Sequence, residues 1–182
     1  MSRYETALAD VVLPAWLPFL GGEITALPLS DRRTGGFAHL SYRRALEAAA
    51  LYSVRLPTRE EVHELHRIGL RLRPYVLPAA LCLPRGTNEQ AMRERHMASE
   101  AWARLHDSAV MAQLDALGWA GDRVVSGAGK HWIQPCPVGR GRLCGWWQPG
   151  AAEPIQAGTD ERGTHDDGHH DYATTTLLVR LA

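Results

Sequence analysis

The chain has 182 residues, 45% hydrophobic and 22% charged, the balance of a globular protein that buries one core. Twenty basic and twenty acidic residues give a formal net charge of zero, so no global field draws it to nucleic acid or an anionic membrane. No apolar run reaches bilayer length, and Met1-Ser2-Arg3-Tyr4-Glu5 lacks the basic-then-apolar layout of a secretory signal, so a cytoplasmic protein is expected.

Residues 4–29 are apolar but broken by Pro14, Pro18, Gly21, Gly22 and Pro28, which excludes one long helix. Short extended pieces are expected around Val11–Leu13 and Ile24–Leu29, then a polar loop from Ser30 to Gly36. Tyr42–Tyr52, rich in Ala, Leu and Arg, reads as a helix. Pro57 forces Leu56 to be extended, and Thr58 with Glu61 forms a capping box that opens a second helix. Val62, Leu65, Gly69 and Leu72 give that helix a buried face, and Pro74 stops it. Thr87 and Gln90 are a second capping-box pair. They open a long helix to about Leu117, with an interruption near Ser99. Trp102, Leu105, Ala109, Ala112 and Ala116 form its stripe, and Gly118 its C-cap.

Beyond Trp119 the pattern changes. Val124-Val125, His131–Ile133, Leu143–Trp147, Pro154–Gln156 and Thr174–Leu181 alternate with glycine-rich turns, as in a small antiparallel sheet. The expected fold is α+β: one domain over 1–182, with an N-terminal helical layer (about 38–118) packed on a C-terminal antiparallel sheet (about 119–182).

Cys82, Cys136 and Cys144 are an odd set without a close pair, which argues against a zinc knuckle and a disulfide framework. Cys136 and Cys144 flank a turn and either face each other across a hairpin or stay as separate thiols. The densest chemistry lies in His165-Asp166-Asp167-Gly168-His169-His170-Asp171-Tyr172. His165, His169 and Asp171 make a three-ligand set for a divalent metal, zinc first, with an open position for a hydrolytic water. The same residues serve metal-free acid–base chemistry, with His165 or His169 oriented by Asp171, and Tyr172 donating to a developing oxyanion. A solvated loop is the plain alternative.

Lys130, the one lysine of the chain, follows Gly127-Ala128-Gly129 in a run that fails the phosphate-loop pattern at Val124 and His131; it is expected to offer a point charge. Ser126 and Cys144 are the available nucleophiles. His63-Glu64-Leu65-His66 has its histidines three apart, not the four a zinc-protease helix needs, and reads as a polar helix face. His96 and His106 read the same way. Trp132, Trp146 and Trp147 are candidate stacking groups for a sugar ring, although most tryptophans belong to cores; Trp146 and Trp147, being adjacent, point to opposite faces if extended.

Three ordered pieces carry a resemblance: Arg55-Leu56-Pro57-Thr58-Arg59 with Arg71-Leu72-Arg73-Pro74, then Gly145-Trp146 with Pro154-Ile155-Gln156, then His165 and Asp171-Tyr172 before Leu178-Val179-Arg180. Together, over roughly 24–182, they resemble a family of bacterial and phage proteins of no settled activity. That family reads Leu-Pro-Thr-Arg, Gly-Trp, Ile-Gln-Pro, and His then Asp-Tyr-Ser-His-Gly before Arg-Leu-Val. This chain departs at Ala157 for the proline and at Ala173-Thr174-Thr175 for Ser-His-Gly, so chemistry needing that Ser or His does not carry over. The Leu-Pro-Thr before an acidic helix also resembles the formylglycine-generating and C-type-lectin-like fold, but the Gly-Asn-Val-Trp-Glu-Trp signature is missing. The expected function is a hydrolase-like enzyme on a polar polymer, cell-wall glycan or peptide. Its competitor is a non-catalytic carbohydrate-binding or virion module. An enzyme requires Lys130, His165 and Asp171 to converge in one pocket.

Overall fold

Proline and glycine cut the first forty residues into short pieces, as a computed structural model of the chain bears out. It describes residues 5–73, 89–127, 129–147, 150–159, 164–168 and 173–181; within 89–99 the backbone alone is described. A single 3-10 turn (Leu8–Asp10) precedes β1 (Val11–Val12), β2 (Trp16–Phe19), β3 (Gly22–Thr25) and β4 (Ser30–Asp31). The hairpin of β2 and β3 turns through Leu20 and Gly21, both at positive φ (48° and 79°). Helix α1 (Tyr42–Leu51) starts where the Ser41 hydroxyl accepts from the Arg44 backbone N–H. The α2 helix (Arg59–Ile68) carries the expected capping box, and Glu61 also binds Arg55 through both oxygens at 2.6 Å.

Two expectations are corrected here. Helix α2 ends at Gly69, five residues before Pro74, because the chain turns extended into β5 (Leu70–Arg71); Leu72 is buried beyond the helix. Helix α3 (Glu89–Ala116) runs unbroken through Ser99. Its buried side is Ala103, His106, Asp107, Val110 and Leu114, while Leu105 is 46% exposed, so the inward stripe lies one residue round from the one expected. Thr87 lies outside the described residues, as does the side chain of Gln90.

The strands that follow are β6 (Val125–Ser126), β7 (Lys130–Ile133), β8 (Arg140–Gly145), β9 (Gln156–Ala157), β10 (Thr164–Asp166), β11 (Thr174–Thr175) and β12 (Val179–Leu181). The central sheet has the order β10-β8-β7-β11 with β9 also on β8. It is antiparallel except for β7 and β11, which pair in parallel. Strand β12 leaves it to pair with β3, and β5 pairs in parallel with β6. The run Thr174–Leu181 is therefore two strands of two sheets, not one. The architecture is α+β, with the helical layer against the sheet.

Alternation along β7 decides what each face of the sheet packs on. Trp132, with Leu143 of β8, joins α1 through Tyr42, Ala45, Ala48 and Ala49. The opposite face, Ile133 and Cys144, meets Val62 of α2 and Trp147. Gly141 lets α1 approach: a Cβ there would sit 2.6 Å from Tyr42 Cβ and 2.8 Å from Trp132. A third cluster, Phe37, Leu72, Val110, Leu114 and Val125, seats α3 on β6. Among the described residues, no helix is long and apolar enough to cross a membrane.

Candidate functional site

Helix α3 turns two adjacent polar residues, His106 and Asp107, into the interior, and what they meet defines the candidate site. The Asp107 carboxylate accepts from the Phe37 backbone N–H at 2.9 Å through Oδ2. His106 Nδ1 lies 3.2 Å from Oδ1, and His39 Nε2 lies 3.5 Å from Oδ2. His39 is brought there by the segment Phe37–Leu40, whose apolar members are buried; Gly36 makes the approach possible, since a Cβ on it would sit 2.3 Å from Asp107 Oδ2. Burial pushes the Asp107 carboxyl up, but bonds to His106 and His39 and their charges more than reverse this, so it stays below the ordinary carboxylate range.

His39 and Asp107 floor a cavity of about 540 Å³, a volume suited to a small ligand or one unit of a polymer. Phe37, Ala103 and Met111 supply its apolar wall. Its charged rim is internally paired: Arg33 with Asp10 at 2.9 Å and Asp31 at 3.2 Å, and Arg104 with Glu100 at 2.8 Å. Asp31 is buried, which raises its carboxyl, but the Arg33 backbone, the Thr6 hydroxyl and the Arg33 side chain outweigh burial and hold it low.

A second, inner cavity of about 10 Å³ lies beyond Phe37, lined by His106, His131, Ser126 and Thr175 among others. His131 Nδ1 is 2.9 Å from Thr175 Oγ1, whose hydroxyl donates to the Lys130 carbonyl at 3.1 Å. The hydroxyl proton being used there, His131 Nδ1 is the donor to Thr175 and its Nε2 carries a lone pair. Burial, with the neighbouring His106 charge, pulls His131 down to about 4 from an ordinary 6.5. Between those values the unfolded chain takes a proton that the native state refuses, so stability falls as pH drops through this window and is flat above it. The loss is on the order of 3 kcal/mol at the acid end. His131→Gln is expected to flatten the stability–pH curve between pH 6.5 and 4 by about one proton, measured by urea unfolding at stepped pH; an unchanged slope would show that His131 protonates freely in the fold.

The residues singled out from sequence are placed as follows. Lys130 is 4% exposed on β7, with Nζ 5.2 Å from the centre of the Trp146 ring. His165 is half-buried on β10, edge-on to Trp132 at 6.4 Å. His165 pairs with Gly141 of β8 and Lys130 with Gly145, four residues apart, or about 13 Å along that strand. The structure therefore does not bring Lys130 and His165 together. His169, Asp171 and Tyr172 lie outside the described residues, and the expected zinc set lies there with them. Among the described residues, no group of three His, Cys, Asp or Glu side chains is arranged to hold a metal ion.

Of the expected stacking tryptophans, Trp132 is fully buried and donates its indole N–H to the Leu40 carbonyl at 2.7 Å, so it offers no face to a ligand. Trp147 is 4% exposed, its ring stacked 4.0 Å from that of His66. Trp146 is half-buried in a left-handed conformation (φ 66°), a rare state for a bulky residue that aims its ring at Lys130. Neither candidate nucleophile is poised. Ser126 is 2% exposed and 3.0 Å from His66 Nδ1. Burial pushes the Cys144 thiol up to about 12, where it stays protonated. His66 is not a simple surface group: burial first, then Arg71 and His63, bring it down to about 4.

His106 is the main correction, buried at 0% exposure where a polar helix face was expected. His39 gave one sequence signal, a lone histidine inside an apolar run directly after Gly35-Gly36. Set beside known protein families, curated proteins and solved structures, the chain matches none of them.

Proposed function

We propose that the protein is a hydrolase-like enzyme that acts on a polar polymer, glycan or peptide, with His39 as the acid–base group. The observation that carries this reading is the carboxylate of Asp107, held ionised between His39 and His106 at the floor of the cavity of about 540 Å³. An imidazole fixed by a carboxylate can take a proton from an attacking water and return it to a leaving group, and the carboxylate stabilises the imidazolium that forms between the two events. The Asp107 bond to the Phe37 N–H keeps this carboxylate from rotating away, which preserves the dyad's geometry. The paired charges on the rim suit a ligand without a large net charge, which favours glycan or peptide over nucleic acid. The free thiols Cys136 and Cys144 fit residence in a reducing compartment such as the cytoplasm. Zinc, should His165, His169 and Asp171 hold it, would supply a Lewis acid and a water of lowered pKa.

The test is a hydrolysis screen on cell-wall glycans and peptides with the parent, His39→Ala and Asp107→Asn. An activity that drops by about 10²–10⁴ in both variants while the fold persists supports the dyad. A substrate hydrolysed equally well by all three removes it.

A further inference from the structure

Phe37 lines both cavities: its side chain is a wall of the outer one, with His39 and Asp107, and of the inner one, with His131 and Ser126. Its ring meets the His106 imidazole edge-on at 6.2 Å. The partition between the two chambers is thus a side chain that changes position by rotation about its own bonds, rather than a strand or helix.

We propose that His131 belongs to the same site as His39 and Asp107, and that Phe37 is the gate that joins the inner chamber to the outer cavity. The inference rests on the acid–base reading of the outer cavity. Three features support it. Four polar side chains, His106, His131, Ser126 and Thr175, line the inner chamber among its apolar walls, where burial without a purpose would be costly. Thr175 Oγ1 holds His131 Nδ1 at 2.9 Å, and with Nδ1 so engaged Nε2 is the ring atom that can receive a proton or a ligand group. The backbone that delivers Phe37 is held in place, bridged to Ser30 and bonded to Asp107, so that the ring alone need turn. With the gate open, His39 and His131 stand on the two sides of the Asp107–His106 pair. One imidazole then stands beside a carboxylate and the other beside a neutral hydroxyl, the unlike surroundings that an acid and a base in one site require.

The experiment reads access to His131 from the cavity and needs no substrate. The parent protein is treated with diethylpyrocarbonate at pH 6, which acylates neutral imidazoles, and labelling of His131 is followed by peptide mass mapping. Labelling of Cys144 by N-ethylmaleimide serves as the clock for opening of the sheet and of the whole fold, because Cys144, the register partner of His131 on β8, is sealed (0% exposed) in the cluster packed on α2 and borders neither cavity. Each rate is divided by that of the same residue in the urea-unfolded chain to give a protection factor. The gate predicts that His131 is protected at least tenfold less than Cys144. It also predicts that Phe37→Leu lowers His131 protection by a further tenfold and leaves that of Cys144 unchanged. Equal protection of the two residues in the parent, or a Phe37→Leu effect that moves both together, overturns the proposal. Either result leaves the hydrolysis test of His39 and Asp107 standing on its own, and loss of the hydrolase reading leaves the labelling result intact.

Discussion

Asp107→Ala is expected to lower the unfolding free energy by about 3–5 kcal/mol, the range for removing one partner from a buried charged network. The carboxylate joins three parts of the chain: the Phe37 backbone, the His39 ring and its own helix through His106. Without it the Phe37 N–H loses its acceptor inside the protein, and two buried imidazoles lose the polar group beside them. Asp107→Asn keeps the shape and one acceptor oxygen, so its cost should be clearly smaller. Urea unfolding of both variants at pH 7 makes the comparison. A loss below 1 kcal/mol for Asp107→Ala would mean that the segment Phe37–Leu40 is held by its apolar neighbours alone, and that the carboxylate has no structural task.

Trp132→Ala should be comparably severe, about 3–5 kcal/mol, or roughly 10 °C in melting temperature for a chain of this size. The indole is completely buried between α1 and the sheet, and its N–H satisfies the Leu40 carbonyl at 2.7 Å. Leu40 precedes α1 by two residues, so the bond fixes where that helix begins relative to β7. Trp132→Phe retains most of the buried area and loses the hydrogen bond, which separates the two contributions; it should cost about 1–3 kcal/mol. Thermal unfolding of the pair is the measurement. Near-equal losses would place the whole effect in the hydrogen bond.

What could be read in the sequence was what local chemistry determines. The capping box at Thr58 and Glu61 and the alanine-rich α1 are encoded within a few residues, and both form where expected. The inward stripe of α3 was misassigned for a physical reason. Leu105 and the small alanines suggest a buried face, yet the tertiary structure turns in Ala103, His106, Asp107, Val110 and Leu114, because the polar pair finds partners on a segment some seventy residues away. No local pattern carries that information. The parallel pairings of β5 with β6 and of β7 with β11 are likewise set by packing rather than by turns. For the site, the Lys130–Trp146 neighbourhood and the half-buried His165 are real features of the sheet, but β8 holds them apart. His39 and His106 were hidden by the ordinary rule that histidines face solvent.

The partnership of β12 with β3 has a consequence for how the molecule is made. Val179, Arg180 and Leu181 align with Ile24, Glu23 and Gly22, so during synthesis this hairpin lacks its third strand until a segment 157 residues further along has been made. A two-stranded ribbon is marginal in water, and contacts of such sequence separation close slowly. During synthesis the hairpin from Trp16 to Thr25 therefore presents the open edge of β3, on which the charged Glu23 is the guard. Completion of this sheet waits for Val179–Leu181, and any event that delays them prolongs the interval in which this edge is available to other chains.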